Sequence, residues 1–265
     1  VRGRTFNPAA CGRELSRQGH GAERFYEGLR HLASFAHPRQ MEARESLAVS
    51  ATPGRSMVSG NRHFWCSDLM VHHRPGFCFS VRVPSPRVWN NDWPCGGEGT
   101  VLHHMADGAT FLMRDGDEYR DIYPVWNWRQ IPGTTAPQHE GKLNPDALRL
   151  RGERGFAGGA SDGTVGSAAV EFVRAGLSAR KAWFFFNDSF VALGADIKCA
   201  YEVPLRTTLN QCLLRGQVFI SAQKGALREG EYRLGPGSIF RHDGFEYHVI
   251  DGVGTLLLGP QTGSW

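Results

Sequence analysis

From about residue 55 to its end, the sequence breaks into short apolar or alternating runs, each closed by Gly, Pro, Asn or Asp. Met70–His73, Cys78–Val83, Thr110–Met113, Ala182–Phe186, Phe190–Leu193, Gln217–Ser221 and Thr255–Leu258 are such runs. They are too short for helices, and their β-branched and aromatic content suits strands. Two pairs predict hairpins. Ala182–Phe186 turns at Asn187-Asp188 into Phe190–Leu193, and Ser238–Arg241 turns at Asp243-Gly244 into Glu246–Ile250. The 33 glycines and 14 prolines among 265 residues supply the turns that so many strands need. Residues 20–36 read differently. Phe25, Leu29, Leu32 and Phe35-Ala36 recur at helical spacing with Arg24, Glu27 and Arg30 between them, and Pro38 ends the pattern. One helix followed by a long, mostly antiparallel β region predicts a large sandwich. The glycine-rich stretch 152–166 has no GxGxxG and no Walker lysine, so it reads as a turn-rich connection and not as a phosphate cradle.

Composition removes several classes of function. Apolar residues at 41% and charged residues at 21% describe a globular chain, not a disordered one. No apolar run reaches the roughly 18 residues of a membrane-spanning helix. A net charge of +4 gives no footprint for nucleic acid, and neither nucleic acid nor membrane is an expected partner. The start is locally basic. Arg2, Arg4, Arg13, Arg17, Arg24 and Arg30 stand against Glu14, Glu23 and Glu27; a solvated surface accounts for this from charge alone, and an anionic ligand is the alternative. The chain opens on Val1 with no initiator methionine or signal peptide and stops on Trp265, so a piece of a longer polypeptide is expected. Cys11, Cys66, Cys78, Cys95, Cys199 and Cys212 form no CxxC and no Cys/His zinc spacing; their even number permits disulfides without showing them. No cofactor is expected, and calcium on a loop is the one metal left open.

Few residues carry chemistry by spacing alone. If the turn GRELSR (12–17) is helical, Arg13 and Arg17 share a face and offer two guanidinium forks to a carboxylate or sulfate; the alternative is two surface arginines paired with Glu14 or a neighbour. The stretch from Trp89 through Asn91 to Glu98, and Trp126-Asn127-Trp128-Arg129, mix indoles with amides and charges. Indole faces stack on pyranose rings while the polar groups bond hydroxyls; the competing reading is that these aromatics fill a core. His72-His73 and His103-His104 are adjacent, and in strands the two members of a pair point to opposite faces, which argues against a metal clamp. His242 and His248 flank the Asp243-Gly244 turn and read as hairpin residues with local roles. There is no GxSxG, and no pair of carboxylates stands out for glycoside hydrolysis.

Several elements in order resemble polysaccharide lyase family 8, the family of hyaluronate, chondroitin AC and xanthan lyases. GRELSR is similar to its GR-x-x-SR element, and Asn61-x-x-Phe64-Trp65-x-x-Asp68-x-Met70-x-His72 to its N-x-x-FW-x-SD-x-M-x-H strand. Trp126 through Thr135 resembles its W-D-W-x-x-x-PGTT segment after Glu118-Tyr119, with Asn127 in place of Asp. Gly158–Gly163, Lys181–Phe186 with Ala192-Leu193-Gly194, His242-Asp243-Gly244 with Tyr247, and Thr262–Trp265 match its later elements.

The resemblance implies a galactose-mutarotase-like, large antiparallel β super-sandwich preceded by a short helical remnant of an α/α toroid. Residues 1–45 would be the C-terminal end of the toroid and 46–265 the central sandwich. It also implies β-elimination on a uronic-acid-containing polysaccharide. The C6 carboxylate must be neutralised, the C5 proton removed and the leaving glycosidic oxygen protonated. In the family an Asn does the first, and a Tyr with a His the rest. These lie upstream of GRELSR, so they fall outside this chain, and Tyr26 and His20 do not match them. Arg13 and Arg17 carry over as cleft arginines beside the catalytic Tyr. The family's Glu-x-x-Asn-x-Glu-Asn stretch matches cleanly at Glu98 alone, with Trp93 and Gly96 at the earlier positions unless the alignment slips toward Asn90–Asp92. On this reading Arg13 and Arg17 serve catalysis, and Asn91, Glu98, Trp126 and Trp128 bind substrate. The partner is an acidic polysaccharide, the chain is a monomer, and the protein is extracellular or periplasmic. The rival expectation is a non-catalytic carbohydrate-binding β-sandwich; a structural β domain for protein contacts is a third.

Overall fold

Helix α1 (Pro8–Cys11) is a single turn, and α2 (Gln18–Ser34) and α3 (Gln40–Ser50) form a helical hairpin around the Pro38 break. The computed structural model describes residues 5–11, 18–50, 59–90, 101–141, 143 and 150–263. The predicted helix is α2. A second helix, α3, follows where none is predicted: its sequence QMEARESLAVS has only a weak apolar stripe, and it is anchored by Gln40 Nε2 and Arg44 Nε donating to the Ala33 carbonyl of α2. Among the described residues no helix is long and apolar enough to cross a membrane.

The chain divides into two units, Val1–Gln211 and Cys212–Trp265. The first contains two four-stranded antiparallel sheets in simple meander order. One is β1 (Gly60–Phe64), β2 (Leu69–His73), β3 (Cys78–Arg82) and β4 (Ala109–Met113). The other is β6 (Ala157–Ser161), β7 (Gly166–Arg174), β8 (Leu177–Phe185) and β9 (Phe190–Cys199). Strict alternation on β7 and β8 sends Ala168, Val170 and Phe172 with Ala179, Trp183 and Phe185 to one buried face. There they meet β2 and β3: Phe79 stacks on Phe190 at 3.7 Å and lies 5.7 Å from Phe185, and Phe185 lies 5.5 Å from the His72 ring. His72 is a satisfied core histidine. Its Nε2 donates to the Phe186 carbonyl at 2.8 Å, and its Nδ1 accepts from Asn61 Nδ2 at 3.3 Å. The other face of the first sheet is covered in part by residues 5–11, where Asn7 bonds the Ser80 hydroxyl at 2.8 Å.

The β8–β9 hairpin turns at Asn187-Asp188 with Phe185 opposite Phe190, as the sequence predicts, although both strands run longer than the apolar signal. The glycine-rich stretch 152–166 is corrected: it contains strand β6. Its small residues serve close packing. A Cβ on Gly159 would lie 2.6 Å from Met70 Cε and 2.8 Å from the Ser167 carbonyl oxygen.

In the second unit β11 (Phe219–Ile220), β13 (Ile239–His242) and β14 (Phe245–His248) form one sheet, and β12 (Gly230–Leu234) pairs with β15 (Gly254–Leu258). The run Gln217–Ser221 shortens to the two residues of β11. Ile220, Leu234 and Phe240 make the core, with Tyr247 stacked on Phe240 at 4.5 Å. The β13–β14 turn has Asp243 at φ 47° and Gly244 at φ 79°, the left-handed pair of a type I′ turn. His242 Nε2 accepts the Arg215 backbone N–H at 3.1 Å, a contact 27 positions away and outside the hairpin.

Candidate functional site

The loop between β4 and β5 (Thr135–Pro137) carries the aromatic–arginine segment. It is fixed from inside. The Glu118 carboxylate accepts the backbone N–H groups of Arg114, Asp115 and Gly116 at 2.7, 2.8 and 2.9 Å, and burial raises its pKa against the pull of those bonds. The Tyr119 hydroxyl accepts the Leu112 N–H at 3.2 Å and donates to Asn210 Oδ1 at 2.9 Å. Phe111, Tyr119, Tyr123, Trp126 and Trp128 then nest edge to face, with Trp126 and Trp128 5.3 Å apart at 88° and Tyr123 near-parallel to Trp128 at 6.1 Å. Gln211 pins the segment: its carbonyl accepts Trp126 Nε1–H at 2.9 Å, its Oε1 accepts the Asn127 N–H at 2.8 Å, and its Nε2 donates to the Gln130 carbonyl at 2.9 Å. Trp126 is buried at 5% exposure, whereas Trp128 and Arg129 are half-buried and reach solvent.

The Pro132-Gly133-Thr134-Thr135 run ties this loop to both sheets. Thr110 N–H donates to the Pro132 carbonyl at 2.8 Å, Gly133 N–H to the Thr208 carbonyl at 2.7 Å, and buried Lys181 Nζ to the Gly133 carbonyl. Gly133 has φ 80°, and a Cβ there would lie 2.4 Å from the Gly108 carbonyl oxygen, so only glycine fits. Thr135 lies in β5, which pairs with β10 (Leu205–Thr207).

A second polar cluster surrounds residues 103–107. Asn90 Nδ2 and Arg174 Nη2 both donate to the His103 carbonyl at 3.0 Å, and Asn90 Oδ1 accepts the Leu150 N–H at 2.9 Å. Arg174, 6% exposed, pairs with Asp107, whose side chain is wholly buried. The same Asp107 oxygen lies 2.8 Å from His104 Nδ1. Burial lowers the Arg174 pKa to about 9, so it stays charged at neutral pH. Burial, with the charges of Arg174 and Arg129, pushes His104 down to about 3 and keeps it neutral. Nearby in sequence, the Arg151 guanidinium lies 4.2 Å over the Trp89 ring.

Of the sequence-predicted site residues, the structure describes Trp126 and Trp128 and brings them together; Arg13, Arg17, Asn91 and Glu98 lie outside the described residues. Gln211, Asp107 and Arg174 do not stand out in the sequence, and His104 is named there only with His103 as a pair in a strand, whereas the structure places both in a turn. Their partners lie far along the chain, and the one local signal is the Asp107 carboxylate three residues after His104. Among the described residues no group of three or more His, Cys, Asp or Glu is placed to hold a metal ion.

Comparison with known proteins is consistent across sequence and structure. A chondroitinase-AC of Pedobacter heparinus is 34% identical over 229 residues, which are 84% of this chain and 32% of that protein. A hyaluronate lyase of Thermasporomyces composti is 30% identical over 160 residues, 57% of this chain and 20% of that protein. A solved structure of chondroitinase AC lyase, from a study of its oligosaccharide complexes, superposes with a TM-score of 0.77 at 31% identity, covering 92% of this chain and 37% of that one. The chain therefore spans 20–37% of the length of these relatives. Residues 59–265 match the model of the polysaccharide lyase family 8 super-sandwich domain, and with the antiparallel sheets described above this places the chain in polysaccharide lyase family 8.

Proposed function

We propose that this chain is the sandwich portion of a lyase that cleaves a uronic-acid-containing polysaccharide, of the hyaluronan, chondroitin or xanthan kind, by β-elimination to unsaturated oligosaccharides. The observation that carries the reading is the family match over residues 59–265. The half-buried Trp128–Arg129 surface supports it, because a flat ring beside a guanidinium suits an acidic sugar. Helices α2 and α3, through Ser50, belong to the end of an α/α toroid, five residues past the boundary expected at 45, and the strands that follow belong to the sandwich. In support, the α2–α3 hairpin leaves Phe25, Phe35 and Met41 exposed, an apolar surface that further toroid helices would cover.

Arg13 and Arg17 bind and neutralise the substrate's anionic groups near the reacting ring. Asn91, Glu98 and Trp128 contact the glycan, with Trp126 supporting Trp128 from beneath. The Asn that neutralises the C6 carboxylate and the Tyr and His that move protons are supplied by the longer parent polypeptide. The protein acts outside the cell or in the periplasm, as a monomer, on an acidic polysaccharide. Calorimetric titration of the chain with chondroitin sulfate and hyaluronan oligosaccharides tests the glycan surface. Binding by the native chain that weakens in Trp128→Ala supports it; no heat with either glycan, from a chain shown to be folded, contradicts it.

A further inference from the structure

We propose that His104 is a substrate-binding residue of this glycan surface, presenting a neutral Nε2 lone pair to a hydrogen-bond donor of the sugar, a hydroxyl or an acetamido N–H. The inference rests on the glycan reading above and adds to it a residue and a bond polarity. The geometry begins at Asp107. An ionised carboxylate only accepts hydrogen bonds, so the 2.8 Å contact puts the imidazole proton on Nδ1. Arg174 forms an ion pair with the Asp107 carboxylate, and Arg174 is itself anchored on the His103 carbonyl at 3.0 Å. The charged groups acting on the ring are thus Asp107, which orients it, and Arg174 and Arg129, which together with burial oppose a second proton.

Nε2 is then the acceptor of the ring, and among the described residues it has no partner. The side chain keeps 17% of its surface exposed, while the Asp107 side chain keeps none. A buried ion pair is costly to build, and a histidine serving packing alone has no need of one to fix its tautomer and direction. The turn bearing His104 runs to Gly108, whose carbonyl packs against Gly133 of the loop that carries Trp128 and Arg129: a Cβ on Gly133 would lie 2.4 Å from it. Its neutral acceptor complements the two arginines: they attract carboxylate or sulfate, and the imidazole reads an adjacent hydroxyl or amide.

The test is calorimetric titration of the 265-residue chain with a chondroitin sulfate hexasaccharide, together with nitrogen-15 NMR of the histidine rings without glycan. His104→Ala weakens binding by about threefold to tenfold, the worth of one neutral hydrogen bond, in a variant that stays folded at the titration temperature. His104→Gln, which keeps an acceptor, recovers most of the affinity. In the native chain His104 shows the neutral Nδ1–H tautomer from about pH 5 to about pH 8. Glycan binding that is intact in His104→Ala, or an Nε2–H tautomer or imidazolium in that range, overturns the inference while the glycan reading stands. A folded native chain that binds no hexasaccharide overturns both.

Discussion

Lys181→Met probes the sandwich interior through its pH dependence. Lys181 lies on the buried face of β8 at 7% exposure, its Nζ donating to the Gly133 carbonyl and lying 5.4 Å from the centre of the Trp183 ring. Burial lowers its pKa from 10.5 to about 7. Below about pH 7 the lysine is protonated in both states, and the folded state bears the cost of a buried ammonium. Between about pH 7 and pH 10.5 the unfolded chain holds a proton that the folded chain has released, so the lysine's contribution to stability rises with pH, by at most about 1.4 kcal/mol per pH unit. Methionine has a similar volume and does not titrate. Urea unfolding of both proteins from about pH 5.5 to about pH 9.5 isolates the lysine by difference. The native-minus-variant stability difference is flat at the acid end, then moves toward the native protein by about 2 to 3 kcal/mol above pH 7. Parallel profiles across the whole range would refute the argument, since they mean that the ammonium stays charged between the sheets.

Two further substitutions test how the site is held. Gly133→Ala forces a Cβ against the Gly108 carbonyl at a φ that alanine rarely adopts, and it costs about 2 kcal/mol or more in thermal or urea unfolding; a neutral effect would mean that the Pro132–Thr135 run is not seated as described. Phe79→Ala removes the ring stacked on Phe190 between the two sheets and costs about 3 to 5 kcal/mol, read by the same unfolding curves; a loss under about 1 kcal/mol contradicts the sandwich core.

What the sequence made legible was local. The Asp243-Gly244 turn and the Asn187-Asp188 turn specify their hairpins from adjacent residues, and the α2 stripe repeats within one helix. What it hid depends on tertiary contact. Strand β6 has little strand propensity of its own; it pairs with β7, and Gly159 sits where a Cβ would meet Met70 and His63. Lys181 and Arg174 look like outward charges, yet alternation turns them inward, where their acceptors on Gly133 and Asp107 lie 48 and 67 positions away. Gln211 holds Trp126 from 85 positions away, a link no periodicity reveals. For the candidate site, the order of short elements pointed to Trp126 and Trp128, whereas His104 became a candidate only through its contact with Asp107.

The central claim, membership in a working β-eliminating lyase, is tested most directly on the parent polypeptide extended upstream through the toroid. It is incubated with hyaluronan, chondroitin sulfate, heparan sulfate and xanthan, and the near-ultraviolet absorbance of the unsaturated uronic product is followed. The account predicts a rise with at least one polymer, its loss in Arg17→Ala, and no product from the 265-residue chain alone. A flat trace with all four polymers from a folded parent, or turnover by the isolated chain, would contradict it.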